Sequence, residues 1–197
     1  MMLEHVPEPG ETLARPRLFN RETVLDRAIP LFWRNGYAAT NMRQLEQATG
    51  VNKSGLYTEF ENKEDLFVEA LRRYLAQGTA LELLRVEPGG WDNVSAFLSR
   101  APKMNAEIAG CFAMNSSREV ETIPSRAREL IGDFATTCKD EIARNIATER
   151  PDGDFETAAD VVWTFFAGLC LTANTEGPQA DTSERIDTFL SWLRKAV

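Results

Sequence analysis

Histidine is all but missing from this chain: its one copy, His5, sits among prolines near the start. That nearly excludes a catalytic or metal site built on imidazole. Cysteine is scarce too. Cys111, Cys138 and Cys170 are odd in number, far apart and form no CxxC pair, which argues against a disulfide framework or a zinc finger. With no Gly-rich phosphate loop and no Ser/His/Asp set, an enzyme would have only scattered carboxylates to work with, and nothing in the chain calls for a cofactor. No apolar run approaches the roughly 18 residues of a membrane span. The opening MMLEHVPEPGETLARP lacks both a basic n-region and an apolar h-region, so the expected location is the cytoplasm, away from any membrane. Strand-like alternation and internal repeats are missing as well, which leaves an all-α fold of nine or ten helices.

A chain of 197 residues at 43% hydrophobic content can bury a real core. Its net charge of −8 is unevenly spread: residues 1–63 balance eight Lys/Arg against eight Asp/Glu, and the whole excess lies in residues 64–197. Residues 1–18, with three prolines and three glutamates, read as a flexible arm. Arg15 and Arg17 there either trail into a minor groove or belong to a solvated tail.

The informative stretch is residues 40–63, TNMRQLEQATGVNKSGLYTEFENK. Thr40 is an N-cap candidate, and Met42, Leu45 and Ala48 mark one buried helical face. Gly50 stops that helix, Val51 plugs the turn and Asn52 caps a second helix buried through Leu56 and Phe60. Lys53, Ser54, Gly55, Tyr57 and Thr58 remain outward, a set with little bulk that suits phosphate oxygens and base edges in a major groove. This is the pattern of a helix-turn-helix. A preceding helix from Asn20 to about Gly36 carries Val24, Ala28, Leu31 and Phe32 at helical spacing, with a kink or break expected at Pro30.

Thr40, Arg43, Gly50-Val51, Leu56-Tyr57, Phe60 and Lys63-Glu64, preceded by Leu31-Phe32 and Gly36-Tyr37, resemble the DNA-binding domain of the TetR/AcrR family of bacterial repressors. The resemblance covers roughly residues 19–74 and agrees in order and spacing. It implies a helix-turn-helix domain at 19–63 and a larger helical effector-binding and dimerisation domain at 64–197. In that family Thr40, Arg43, Tyr57 and Lys63 would grip phosphates, while Lys53, Ser54, Gly55 and Thr58 approach base edges of a double-stranded operator. Two residues depart from the family pattern. Glu46 stands where a small residue is usual, and Glu59 lies near the recognition helix, where it either turns away from the phosphates or accepts a bond from a cytosine amino group.

Beyond residue 63 the pattern continues as a long amphipathic helix to Gln77, a turn at residues 87–90, and helices opening near Trp91 and after Pro124. Residues 154–173 are apolar over more than one stripe, and residues 181–197 carry Ile186, Phe189, Leu190, Leu193 and Val197 on one side. Together they suggest a two-fold homodimer interface of four helices. The expected effector is a small apolar or aromatic molecule among Trp91, Phe97, Met104, Phe112, Met114, Phe134 and Phe166, residues that read equally as plain core. Cys111, in the Gly110-Cys111-Phe112 step, is either a packed thiol or a redox or soft-metal sensor. The remaining alternative is a helical adaptor that no longer binds DNA.

Overall fold

A computed structural model describes residues 19–100, 107–177 and 180–197. Residues 1–18, expected to form an arm with Arg15 and Arg17, and the candidate pocket residue Met104 lie outside the described residues. Among the described residues ten α-helices run in order: α1 (Arg21–Ala39), α2 (Met42–Thr49), α3 (Lys53–Glu59), α4 (Lys63–Gln77), α5 (Ala80–Leu84), α6 (Trp91–Arg100), α7 (Phe112–Ser116), α8 (Ser125–Glu149), α9 (Phe155–Glu176) and α10 (Ser183–Ala196). Among the described residues there is no strand. The all-α reading therefore stands.

Helix α1 begins where Asn20 accepts from the amides of Glu22 and Thr23. It passes through Pro30 with helical backbone angles, and the expected break lies six residues later, at Gly36, with φ 80° and ψ 173°. The proline ring fixes a φ that a helix already uses, so the cost at residue 30 reduces to a lost amide and some crowding. Residue 36 instead adopts a conformation that only glycine visits freely.

A continuous hydrophobic cluster runs from α1 to α10. Phe32, Tyr37 and Phe67 meet edge-on or tilted with centroids about 5 Å apart, and Phe112 joins them from α7 at 5.8 Å from Phe67. Such ring contacts add to the area they bury. Toward the other end, the fully buried Asn145 of α8 satisfies its whole amide, taking Gly90 N–H and Asn93 Nδ2 on its oxygen and donating to the carbonyls of Leu84 and Glu141. A buried amide with every bond made fixes the 87–90 turn rather than destabilising it.

Helix α9 corrects one expectation. By length and composition it is apolar enough to cross a membrane, and only 33% of that stretch is buried. One side packs on α8, where Phe134 meets Trp163 edge-on, and Val162, Phe166 and Leu169 are buried. The other shows Val161 and Leu171 outward, at 42% and 55% exposure. A helix with two apolar sides scores as uniformly apolar, although its second side is a surface.

Candidate nucleic-acid interface

The two short helices are set by local chemistry. Asn41, rather than the expected Thr40, caps α2: its Oδ1 accepts the Gln44 amide, and Gln44 Oε1 accepts the Asn41 amide, a reciprocal capping box. The Asn41–Gln44 spacing lies one residue beyond Thr40 in the sequence. Gly50 closes α2 in the left-handed region, at φ 74°, and Asn52 Oδ1 accepts the Gly55 amide at 2.8 Å to open α3. Leu45, Leu56 and Phe60 are buried beneath this turn, as their spacing predicts.

Outward on this unit stand Arg43, Lys53, Ser54, Tyr57 and Thr58, all exposed. Arg43 has no ion pair among the described residues, Lys53 Nζ lies 5.7 Å from the centre of the Tyr57 ring, and the Thr58 hydroxyl donates back to Ser54 O. This juxtaposition supplies two cations, a phenol and two hydroxyls on one side of a short helix pair. It can neutralise phosphates and donate to base edges.

Three residues expected on that face are placed differently. Thr40 is buried, its hydroxyl donating to Gly36 O at 2.7 Å. Lys63 Nζ donates to Tyr37 O and Thr40 O, each at 2.9 Å, and lies over the Tyr37 ring. Burial lowers the Lys63 pKa, partly offset by the nearby carboxylates of Glu119 and Glu64. Gly55 faces its own protein: a Cβ there would meet Val51 Cγ1 at 2.7 Å and Phe19 at 3.1 Å. Glycine at 55 thus serves internal packing, and Thr40 and Lys63 hold the α1–α2 corner.

The two acidic departures also acquire structural roles. The Glu46 carboxylate accepts the backbone amide of Lys53, capping the start of α3 from outside, a favourable place for negative charge at a helix N-terminus. Glu59 turns inward toward Arg21, which also donates to the Glu59 carbonyl. Of its two sequence readings, turning away is the one observed.

The corner before α2 is fastened by a group that sequence reasoning missed. Glu119, in the short 3-10 turn Ser117–Glu119, accepts the amides of Tyr37 at 3.1 Å and Ala38 at 2.9 Å. A Cβ at Gly36 would fall 1.9 Å from its Oε1. Partners 81 and 82 residues apart leave no local signal.

The described effector candidates are spread over separate parts of the core. Phe97 and Phe166 stack at 4.5 Å, Trp163 continues the stack at 5.2 Å, and Phe134 meets Trp163 edge-on. Phe112 belongs instead to the α1–α4 cluster with Met114 half-buried nearby, and Trp91 lies 5.4 Å from the Arg194 guanidinium. Trp91, Phe97, Phe112, Phe134 and Phe166 are buried side chains of the core. The three thiols are likewise buried. The Tyr74 hydroxyl donates to Cys111 Sγ, burial pushes the Cys111 and Cys170 thiols up, and it pushes Cys138 up to about 12. Neutral, enclosed thiols are poor nucleophiles. Among the described residues no three His, Cys, Asp or Glu side chains converge to hold a metal ion, so neither the redox nor the soft-metal alternative is favoured.

The family model "Bacterial regulatory proteins, tetR family" matches residues 24–70, which contain this whole unit. The HTH-type transcriptional repressor ComR of Escherichia coli (strain K12) is 36% identical over 132 residues, 64% of this chain and 59% of the repressor, so the chain spans about three fifths of that relative. The HTH-type transcriptional regulator LmrA of Bacillus subtilis is 24% identical over 87% of this chain and 96% of its own length. Among solved structures, a cysteine mutant of the TetR family transcriptional regulator CifR, complexed with 26-bp double-strand operator DNA, superposes with a TM-score of 0.75 at 27% identity. It covers 92% of this chain and 99% of that one. The reduced form of E. coli NemR shares the fold, with a TM-score of 0.71 at 20% identity over 89% of this chain and 95% of that one. These relatives are regulators rather than enzymes. The paired short helices, their caps and these likenesses agree: residues 24–70 carry the DNA-binding domain of the tetR family of bacterial regulatory proteins, and the chain shares the fold of TetR family transcriptional regulators.

Proposed function

We propose that this protein is a cytoplasmic, homodimeric repressor that binds a pseudo-palindromic operator and is released by a small-molecule effector. The observation that carries the reading is the outward, exposed set Arg43, Lys53, Ser54, Tyr57 and Thr58 beside a capped α3. Arg43 and Tyr57 reach phosphates, and Lys53, Ser54 and Thr58 reach base edges. Thr40, Gly55 and Lys63 act indirectly by holding the unit in shape. The DNA-binding portion ends near Lys63, and residues 64–197 carry effector response and dimerisation.

Dimerisation rests on the unburied sides of α9 and α10. Val161, Leu171 and Trp192 are exposed there, and Phe165 stacks on Phe189 at 4.0 Å beside a shallow groove that includes Val161. Large exposed apolar side chains in one region mark an association surface. A two-fold pairing of these helices would space two copies of α3 by about one turn of duplex, roughly 34 Å, or a multiple of it.

Selection from a random duplex library tests the reading. Enrichment of a two-fold symmetric sequence, bound with an affinity that falls steeply with salt, is expected. Arg43→Ala, which removes a phosphate contact, should reduce the salt slope by about one. No enrichment above bulk DNA would overturn the proposal.

A further inference from the structure

We infer that a cleft between α1, α4 and α6 is a binding site for a small monocarboxylate with an apolar body. The cleft has a volume of about 310 Å³ and is walled by Ile29, Pro30 and Trp33 of α1, Tyr74 and Gln77 of α4, and Arg100 at the end of α6. That size suits a compact ligand.

Its polar chemistry is one-sided. Only two buried side-chain polar atoms among the described residues lack a hydrogen-bond partner, Trp33 Nε1 and Arg100 Nε, and both belong to walls of this one cleft. Trp33 is 5% exposed, so its indole N–H cannot turn to water for a partner. Both orphans are donors, and a buried donor left unpaired is costly. A ligand that satisfies them must bring acceptors.

The charge around them sharpens the class. Asp26 also borders the cleft, but Arg73 holds it with contacts of 2.6 and 2.8 Å. The Tyr74 hydroxyl is engaged with Cys111 Sγ and the Phe112 amide, so it offers the cleft its ring. Arg100 makes no hydrogen bond or ion pair among the described residues and is the cation left over. A carboxylate can take the guanidinium and the indole N–H together, a charge-assisted arrangement. Ile29, the Pro30 ring and the Trp33 and Tyr74 rings, the last two 5.0 Å apart and edge-on, supply an apolar wall that hydrated inorganic anions do not use.

Pro30 now has a place. It lines the cleft where a residue with an amide would have used that amide for the Asp26 carbonyl. The site joins the first helix of the DNA-binding unit to the end of α4. On the repressor reading proposed above, filling it would bias the setting of α1.

The test is calorimetric titration of the full chain with benzoate and hexanoate, with benzamide and inorganic phosphate as controls, and in parallel the ¹⁵N–¹H indole spectrum. Benzoate or hexanoate should bind and shift the Trp33 indole signal, assigned with Trp33→Phe. Arg100→Gln should weaken that binding at least about tenfold and Arg100→Lys should restore part of it. Should Trp33→Phe not fold, the two Arg100 variants still decide the matter. Absence of binding by both acids, equal affinity for benzamide or phosphate, or undiminished binding by Arg100→Gln would overturn the inference. Operator affinity is measured with and without the acid. An acid that binds with no effect on DNA would keep the site and remove its regulatory role, whereas failure to bind any operator bears on the repressor reading alone.

Discussion

Two surfaces of this molecule stand outside its core, and their chemistries are opposite. The side of α2 and α3 away from the core shows Arg43, Lys53, Ser54, Tyr57 and Thr58. The far sides of α9 and α10 show Val161, Leu171 and Trp192, the last 69% exposed. Water satisfies the first surface well, so its exposure alone says little. Its meaning comes from the capped turn beneath it and the family match over residues 24–70. Water serves the second surface poorly, so its exposure is itself informative. A polar face is read from arrangement, an apolar one from cost.

Substitutions can pull these two surfaces apart. The largest effect is expected from Trp192→Glu, which places a charge in the apolar face. Sedimentation should show monomers at micromolar concentration, and operator affinity should fall on the order of 100-fold, the scale of losing a central aromatic anchor. Dimers that survive unchanged would separate this face from assembly. Next comes Gly36→Ala, which adds a Cβ where φ is 80° and Glu119 already sits. We expect a loss of about 2 kcal/mol in stability, roughly 4–8 °C in thermal midpoint for a chain of this size. DNA binding should weaken while the dimer persists. If both properties fall together, the two surfaces are less independent than their separation suggests.

Tyr57→Phe removes one hydroxyl from the polar face and should weaken operator binding by about 1 kcal/mol, some fivefold, in a gel-shift titration. An unchanged affinity would take Tyr57 out of the contact set. The smallest effect belongs to Asp26→Asn. The hydrogen bond from Arg73 lowers the Asp26 pKa, partly opposed by burial. A carboxyl depressed on folding contributes stability above its unfolded value, near 4, and loses it as pH falls through the folded value. Half-exposed, the pair is weak. The variant should melt slightly below the wild type at pH 7 and converge with it as pH falls through the lowered folded value of Asp26, leaving both surfaces intact.

Much of the DNA-binding unit was legible because its determinants are local. Gly50, Asn52, Leu45, Leu56 and Phe60 act within one turn of their own position, and a sequence window contains all they need. Thr40 was misplaced as a cap because its neighbour Asn41 is equally suited and is the one paired with Gln44. Gly55 was read outward because a missing side chain has no periodicity; only the positions of Val51 and Phe19 reveal which way it faces. Glu119 was invisible for a different reason, since its partners are backbone amides more than 80 residues earlier. The aromatic residues assigned to a pocket show the same limit. Phe97 and Phe166 lie on buried stripes whether the space between them is hollow or, as found, closed by stacking.

Helix α4 has Lys63 at one end, bonded to the α1–α2 corner, and Tyr74 and Gln77 at the other, in the wall of the α1–α6 cleft. Fifteen residues at 1.5 Å each make it a rod of about 22 Å. Tilting such a rod by about 10° about one end moves the other by roughly 4 Å, more than a hydrogen bond can follow. On the repressor reading proposed above, leverage of that kind would turn a ligand-sized displacement into the difference between two heads in register with a duplex and two that miss it.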